Sequence, residues 1–194
     1  MRAPALTNDD KRERAFVELK SQVGLKPHDI IRSDFDTLLS IAKLGGIHAE
    51  ERARRIRLAA EMTIEDFNGD LQSVLNLPTQ EAKKMLRRFP SIGEPGADKI
   101  LLFTGTIPIL SLESNGLRTL LRIGFGTEQK SYAASYHSVQ KAVVDELPLD
   151  TDWIINAYQV LRRHGKETCR TNCPACHRCP VYEFCDYLSL QRQT

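Results

Sequence analysis

Apolar residues recur along most of the chain at the three- and four-residue spacing of an amphipathic helix. Phe35, Leu38 and Ala42 follow this spacing, and Gly45 predicts where that helix ends. Alternation of the strand type is hard to find, and β-branched residues rarely cluster. The pattern therefore predicts an all-α fold. Further helices are predicted over residues 49–61, 79–89, 115–123, 129–146 and 150–164.

Threonines mark two of the predicted helix starts. Thr63, followed by Asp66 three residues later, is typical of a capping box, and it predicts a separate helix that Gly69 closes. Thr79 predicts the cap of the next helix. A tight connection over residues 90–96 then leads into another helical pattern, which makes this part of the chain a candidate helix–hairpin–helix.

Composition narrows the class of protein only slightly. The chain has 194 residues, of which 41% are hydrophobic and 27% charged, as in ordinary globular proteins of one or two domains. No apolar run approaches the roughly 18 residues of a membrane helix, and residues 1–4 lead into a charged helical pattern rather than a secretory signal. We therefore expect a cytoplasmic protein with no membrane partner. The net charge of +2 neither requires nor excludes a polyanionic partner.

All five cysteines lie in one short segment near the C-terminus. Cys169, Cys176, Cys179 and Cys185 have the spacing C-x6-C-x2-C-x5-C, and Cys173 falls inside the first gap. A segment of this length cannot form a hydrophobic core of its own, so we expect it to be held together by disulfide bonds or by a bound metal. An odd number of cysteines in a cytoplasmic chain disfavours disulfides.

Two kinds of metal centre are compatible with these thiols. Zinc takes four thiolates tetrahedrally, and His164 and His177 offer further ligands. A [4Fe–4S] cluster also takes four thiolates, and the lack of paired C-x2-C knuckles favours it over zinc. The spacing alone leaves the ligand set open, because a ferredoxin-like run that begins at Cys173 leaves Cys169 spare.

The connection between the two hairpin helices has the chemistry of a phosphate site. Backbone N–H groups at a turn and at a helix N-terminus can hold a phosphate, and Gly93 and Gly96 allow close approach of the backbone. Pro95 suits the start of the second helix. The alternative is a pair of helices that only pack together. Basic side chains near the connection add a positive field, namely Lys83, Lys84, Arg87, Arg88 and Lys99.

Two motifs, in this order, resemble those of the endonuclease III family, the helix–hairpin–helix DNA glycosylases of base excision repair. The stretch from Leu86 to Leu101, L-x3-P-S-I-G-x2-G-A-D-K-I-L, looks like that family's DNA-phosphate-binding hairpin. The cysteine-rich tail resembles the family's [4Fe–4S] loop. The match covers roughly residues 35–185.

This resemblance implies a site and an architecture. The [4Fe–4S] ligands that the resemblance implies are Cys169, Cys176, Cys179 and Cys185, and Cys173 is not a ligand. Its DNA-binding residues are Ile92, Gly93, Pro95, Gly96 and Lys99. We expect a monomer that binds double-stranded DNA. Two helical lobes are implied, one of residues 45–125 with the hairpin and one of residues 1–44 and 126–194 with the cluster loop at the C-terminus.

The family has a catalytic aspartate at the start of a helix after the hairpin, and Glu113 stands at the matching position. Breaking an N-glycosidic bond builds positive charge on the deoxyribose, and a fixed carboxylate can stabilise that charge or activate water. The resemblance therefore gives Glu113 the catalytic role. The alternative is an ordinary charge near a helix N-terminus.

The chain departs from the family at three places, of which the mildest is Ser91, where the hairpin commonly has glycine. Bifunctional members carry a lysine nucleophile where this chain has Pro95, whereas monofunctional relatives lack it and work through water. Lys99 lies one helical turn further on, displaced by about 5 Å, so it is a weak substitute. The family's opening segment, whose glutamine fills the gap left by a flipped base, has only Ser21-Gln22 as a weak counterpart.

A DNA glycosylase that removes a damaged or mispaired base is therefore the first hypothesis, with strand-cleaving lyase activity doubtful. A catalytically inactive DNA-binding protein of the same fold is the alternative, which Pro95 and Glu113 favour. A small electron-transfer protein is a third, weaker hypothesis, because a cluster alone does not need a phosphate-binding hairpin. In the glycosylase, Arg170 and Arg178 of the cysteine loop are expected to face DNA.

Overall fold

The computed structural model describes residues 8–191, and within this range the chain forms helices and turns without any strand. The all-α prediction is therefore confirmed. Residues 1–4, which bear on the predicted lack of a secretory signal, lie outside the described range, as do the extreme ends of the predicted second lobe. In the described part, no helix combines the length and apolarity needed to cross a bilayer.

The helices follow the predicted segments closely, with boundaries that shift by a few residues. In chain order they are α1 (Asn8–Gln22), α2 (Pro27–Arg32), α3 (Phe35–Leu44), α4 (Ala49–Phe67), α5 (Gln72–Leu75), α6 (Thr79–Leu86), α7 (Glu94–Phe103), α8 (Ser114–Arg122), α9 (Tyr132–Val143), α10 (Thr151–Glu167) and α11 (Asp186–Gln191). Short 3-10 turns lie at Val144–Glu146, Cys176–Arg178 and Tyr182–Phe184.

Two of the predicted helix starts are wrong. Helix α4 continues through Thr63, whose Oγ1 donates a hydrogen bond of 2.7 Å to the carbonyl oxygen of Ala59 one turn earlier. The hydroxyl therefore bonds within the helix instead of capping a new one. The helix ends at Asn68, which adopts a left-handed φ of 52°. Thr79 is likewise the first residue of α6 and not its cap, which is Pro78.

The chain divides into two compact units, Met1–Ile92 and Gly93–Thr194. In the first unit, α3 packs against α1 and α4, and α2 packs against α4. Leu38, Ala42 and Ala53 form the buried centre. The discontinuous lobes proposed from the sequence, with bounds at residues 45 and 125, stay a prediction.

The second unit is built on the packing of α8 against α10, with α7 and α9 alongside. Its core includes Leu102, Tyr136 and Ile154, together with Leu110 and Leu112 from the connection between α7 and α8. Burying one such leucine contributes about 1.5–3 kcal/mol to folding. Because this connection is anchored by buried leucines, the start of α8 is held at a fixed place in the unit.

Candidate functional site

The turn before α7 opens the second unit, at the place where the sequence predicts a hairpin. Gly93 is the N-cap of α7, no side chain caps that end, and Pro95 lies in the first turn. The N–H groups of Glu94 and Gly96 in this turn have no carbonyl partner within the helix, and Pro95 has no N–H. The first intrahelical bond runs from the N–H of Ala97 to the carbonyl of Gly93. The turn thus presents backbone donors at the positive end of a helix dipole.

The missing side chain of Gly93 leaves open space at this turn. Gly93 is exposed and has a φ of −86°, which any residue adopts. Among the described residues, the nearest atom to a Cβ built there is Cδ of Pro95, at 3.9 Å. The described structure therefore does not require glycine here, and the open backbone suits close approach by an external group.

Ser91 and Ile92 precede Gly93 in the turn. Ser91 is exposed and has a left-handed φ of 68°, the conformation that favours glycine. Its Oγ accepts a hydrogen bond of 2.6 Å from Nη1 of Arg55, which holds the side chain in place. Ile92 is half-buried, and its N–H donates to the carbonyl of Phe89 at 3.2 Å. The backbone N–H of Ile92 is therefore already used within the protein.

The basic side chains before the turn differ in their surroundings. Lys84 and Arg87 are exposed. Arg88 is also exposed, but its Nη2 lies 2.7 Å from Oδ2 of Asp66 in an ion pair. Surface ion pairs of this kind contribute about 1 kcal/mol or less, so the pair leaves Arg88 able to exchange partners.

Lys99 is held on an aromatic ring. Its Nζ lies 5.2 Å from the ring centroid of Tyr158 on α10, in the geometry of a cation–π contact. The ring of Tyr158 also meets that of Phe103 edge-on, with centroids 5.4 Å apart. Lys99 is therefore a half-buried cation with a defined position in the second unit.

Glu113 is the N-cap of α8, and both of its carboxylate oxygens accept hydrogen bonds. Oε1 accepts from the N–H of Gly116 at 2.8 Å, and Oε2 accepts from Nδ2 of Asn115 at 2.7 Å. The side chain is half-buried. A carboxylate held by two donors at a helix N-terminus is a fixed negative charge, which is the element that the predicted chemistry needs.

Tyr132 lies beside this carboxylate. Burial raises the pKa of its hydroxyl to about 12, with further increases from the charge of Glu113 and from Tyr158. The hydroxyl donates a hydrogen bond of 2.8 Å to the carbonyl oxygen of Leu112. A groove of about 490 Å³ opens next to Tyr132 and Ser114. The groove therefore begins at the residue that follows Glu113.

The structure brings four of the five cysteines together. Cys169, Cys176, Cys179 and Cys185 are half-buried, whereas Cys173 is exposed. Burial raises the pKa of the Cys179 thiol, and the neighbouring thiols of Cys169, Cys185 and Cys176 raise it further. The thiols of Cys169, Cys176 and Cys185 are thus close enough to Cys179 to affect its pKa.

The guanidinium of Arg122 on α8 lies against this cluster of thiols. Its Nη1 donates to Sγ of Cys169 at 3.4 Å and to the carbonyl of Arg170 at 2.8 Å, while Sγ of Cys185 lies 3.4 Å from the Arg122 carbonyl. His164 approaches Sγ of Cys179 to 3.6 Å, and burial lowers the pKa of its imidazole. The positive charge of the guanidinium suits thiolate ligands, so the chemistry of these side chains suits a metal centre.

Within residues 8–191, no three His, Cys, Asp or Glu side chains converge closely enough to hold a single metal ion. Arg170 and Arg178 are exposed on the same loop, and Nη2 of Arg170 donates to the carbonyl of Cys173 at 2.9 Å. The two arginines are therefore accessible, as a contact to DNA requires.

Asn115 and Arg118 belong to the site, although the sequence reasoning gave them no role. Oδ1 of Asn115 accepts a hydrogen bond of 2.9 Å from Nη2 of Arg118. The same guanidinium donates to the carbonyls of Gly165 at 2.7 Å and Cys169 at 2.9 Å. The signal in the sequence is a polar pair at i and i+3 on α8 directly after Glu113, a spacing that places both side chains on one face.

No family model matches the chain. It is 25% identical to endonuclease III of Sulfolobus acidocaldarius over 175 residues, which is 89% of this chain and 73% of that protein. Endonuclease III of Rickettsia conorii is 27% identical over 104 residues, or 54% of this chain and 46% of that protein.

Solved structures show the same fold. A non-covalent complex of endonuclease III with DNA aligns with a TM-score of 0.71 and 20% identity, over 93% of this chain and 77% of that one. A thermostable thymine-DNA glycosylase aligns with a TM-score of 0.68 and 17% identity, over 93% of this chain and 75% of that one. The chain is therefore similar in sequence to endonuclease III, and its fold is that of the endonuclease III-like helix–hairpin–helix DNA glycosylases.

Proposed function

We propose that this protein is a monofunctional DNA glycosylase, which hydrolyses the N-glycosidic bond of a damaged or mispaired base and leaves an abasic site. The observation that carries the proposal is the Glu113 carboxylate, fixed by two hydrogen bonds at the start of α8. Double-stranded DNA is the proposed partner, since a structural relative of this fold has been solved as an endonuclease III–DNA complex. A monomer in the cytoplasm is the expected state of the protein.

In this proposal the hairpin turn holds a backbone phosphate of the DNA. The N–H groups of Glu94 and Gly96 are the donors, and the open space at Gly93 lets the phosphate approach. Oε2 of the Glu94 carboxylate lies 3.1 Å from Nε2 of His137, so a positive charge on His137, when it is protonated, would offset the repulsion of the phosphate. Exposed Lys84 supplies further positive charge.

Glu113 acts at the sugar. As the bond to the base breaks, positive charge develops on the deoxyribose, and the fixed carboxylate stabilises it or accepts a proton from the attacking water. Pro95 has no amine, so no covalent Schiff base forms at the position where bifunctional members carry lysine. The expected product is an intact strand with an abasic site.

We propose that Cys169, Cys176, Cys179 and Cys185 hold a [4Fe–4S] cluster. The cluster would have a structural role. Four iron–thiolate bonds would hold together a segment that is too short to form a hydrophobic core of its own. Their clustering and the nearby guanidinium of Arg122 support the assignment. A single zinc ion is the other candidate for the same thiols.

An inactive DNA-binding protein is the second candidate function. Its supporting observation is that Glu113 caps α8, which gives the carboxylate a use without catalysis. Pro95 also favours it, since the position of the family nucleophile is chemically inert. This protein would bind duplex DNA with steep salt dependence and release no base.

A gel assay separates the two functions. End-labelled duplexes carry an oxidised pyrimidine, an abasic site or a mispaired adenine, and each reaction is divided between hot alkali and borohydride. Strand breaks that require alkali, without a trapped adduct, support the monofunctional glycosylase. A trapped adduct with the wild-type protein contradicts the monofunctional proposal and shows that an amine elsewhere has replaced the missing lysine, with Lys99 the first candidate. DNA binding without breaks on any duplex favours the inactive protein.

A further inference from the structure

We propose that Asn115 and Arg118 are positioning residues that make the placement of Glu113 depend on the cysteine-rich loop. The inference rests on the proposed function, which gives Glu113 its task at the sugar. Three successive hydrogen bonds connect the Glu113 carboxylate, through these two side chains, to the carbonyl of Cys169. All of these residues lie within the second unit, Gly93–Thr194.

The first two bonds fix the orientation of the Asn115 amide. A carboxylate only accepts hydrogen bonds and a guanidinium only donates them. Nδ2 of Asn115 therefore has to face Glu113, at 2.7 Å, and Oδ1 has to face Arg118, at 2.9 Å. Since neither end tolerates a flipped amide, Asn115 transmits the position of the guanidinium to the carboxylate.

The guanidinium of Arg118 is in turn fixed by the cysteine-rich end of the unit. Its Nη2 donates to the carbonyl of Gly165 at 2.7 Å, and its Nε donates to the carbonyl of Cys169 at 2.9 Å. A planar group with three acceptors in defined directions cannot follow one of them without changing its bonds to the others. Displacement of the Cys169 carbonyl therefore moves the partner of Asn115.

Gly165 packs closely against Asn115, one of the two side chains of this connection. A Cβ built on Gly165 lies 2.8 Å from Cβ of Asn115 and 2.7 Å from its carbonyl carbon, and it also collides with the carbonyl oxygen. The end of α10 is thus in direct contact with the backbone of Asn115. A close-packed contact transmits a shift instead of absorbing it.

Arg122 is the matched control for Arg118. It lies one turn further along α8 and contacts the same loop, at Sγ of Cys169 and the carbonyl of Arg170. None of its hydrogen bonds in the described structure runs to Asn115 or Glu113. The conservative change Arg122→Lys keeps a positive charge beside the loop and leaves the three hydrogen bonds of the connection in place.

The kinetic test compares Asn115→Ala, Arg118→Lys, Arg122→Lys and the double variant Asn115→Ala/Arg118→Lys. The single-turnover rate of base release is measured on the duplex that the wild type processes, and the Kd on a duplex with a tetrahydrofuran abasic analogue. We expect Asn115→Ala and Arg118→Lys to lower the rate about tenfold at unchanged Kd, and the double variant to be no slower than the slower single variant. Arg122→Lys is expected to lower the rate less than Arg118→Lys does, because it leaves the three hydrogen bonds of the connection in place.

Hydrogen exchange gives a second test that needs no substrate. The amide of Gly116 donates to Oε1 of Glu113, so its exchange rate reports on the placement of the carboxylate. We expect exchange at Gly116 to be several-fold faster in Asn115→Ala and Arg118→Lys than in the wild type. No such increase is expected in Arg122→Lys. If the exchange rates change in this way but the wild-type protein releases no base, the proposed function is refuted and the connection between Glu113 and the loop still stands.

Other results would overturn the connection. Unchanged exchange at Gly116 in both Asn115→Ala and Arg118→Lys contradicts it, and so does an equal loss of rate in Arg118→Lys and Arg122→Lys. If Arg118→Lys does not fold, Asn115→Ala alone decides, because it removes the bond to Glu113 and leaves the bonds of Arg118 to Gly165 and Cys169 in place.

Discussion

The hydroxyl of Ser111 donates a hydrogen bond of 2.8 Å to the carbonyl oxygen of Pro95. Ser111 is fully buried and lies two residues before Glu113, so this bond joins the first turn of α7 to the segment that begins α8. The position that carries a lysine in bifunctional members of the family is therefore tied to the position of the carboxylate.

Replacing Pro95 with lysine is expected to create lyase activity. The new amine would stand in the first turn of α7, in place of a residue whose backbone Ser111 holds. Borohydride should trap a covalent adduct of Pro95→Lys with an abasic duplex, because the amine attacks the sugar to form a Schiff base. Pro95→Ala, the matched control, should give no adduct. A folded, DNA-binding Pro95→Lys protein that forms none would show that this position does not reach the sugar.

An added methyl group is expected to lower the stability of the protein at Gly165 but not at Gly93. Gly165→Ala places a Cβ against the backbone of Asn115, so the free energy of unfolding should fall by about 1–3 kcal/mol. Denaturant unfolding measures this loss.

Gly93→Ala has open space around its Cβ and should retain wild-type stability. It should instead bind duplex DNA more weakly, because the methyl group lies where a phosphate is proposed to approach. Wild-type affinity in Gly93→Ala would remove the turn from the DNA interface.

The cysteines are expected to differ in their effect on iron content. Cys176→Ser removes a proposed ligand and should lose iron and stability together, whereas Cys173→Ser alters an exposed side chain and should retain both. Elemental analysis and absorption spectra of the purified variants provide the measurement. Zinc in place of iron in the wild type would contradict the cluster, and iron loss in Cys173→Ser would contradict the ligand set.

The start of α7 next to Gly93 and Pro95 could be predicted because the chemistry of such a start is local in sequence. Gly93 and Pro95 have backbone properties that are independent of the rest of the fold. Thr63 shows the limit of local reasoning: its hydroxyl can cap a following helix or bond back to Ala59, and only the continuation of α4 decides between them.

The contacts of Arg118 could not be predicted, because its acceptors come from distant parts of the chain. The carbonyls of Gly165 and Cys169 are 47 and 51 residues away in sequence. The same holds for Ser111, whose bond to Pro95 spans 16 residues. Such contacts follow from the packing of α8 against α10 and α7, and a single sequence does not encode that packing in any local pattern.

Alkaline pH is expected to destabilise the second unit. Burial raises the pKa of Tyr132 to about 12, and burial also raises the pKa of Tyr136, whose hydroxyl donates to Oδ2 of Asp98 at 2.6 Å. The unfolded chain ionises near pH 10, so this contribution to stability is complete below about pH 10 and is lost as the pH rises toward 12.

The free energy of unfolding of Tyr132→Phe should therefore fall less steeply than that of the wild type between about pH 10 and 12. Urea unfolding at each pH measures the two slopes. Equal slopes would show that Tyr132 is not protected from ionisation in the folded protein.

The most direct test of the account is the effect of Glu113→Gln on base release. Glutamine keeps the size of the side chain and removes the charge, so we predict a fall of about a hundredfold or more in the single-turnover rate, with DNA binding retained. Thermal unfolding verifies that the variant is folded. A Glu113→Gln protein that releases the base as fast as the wild type would contradict the central claim that the carboxylate at the start of α8 drives the reaction.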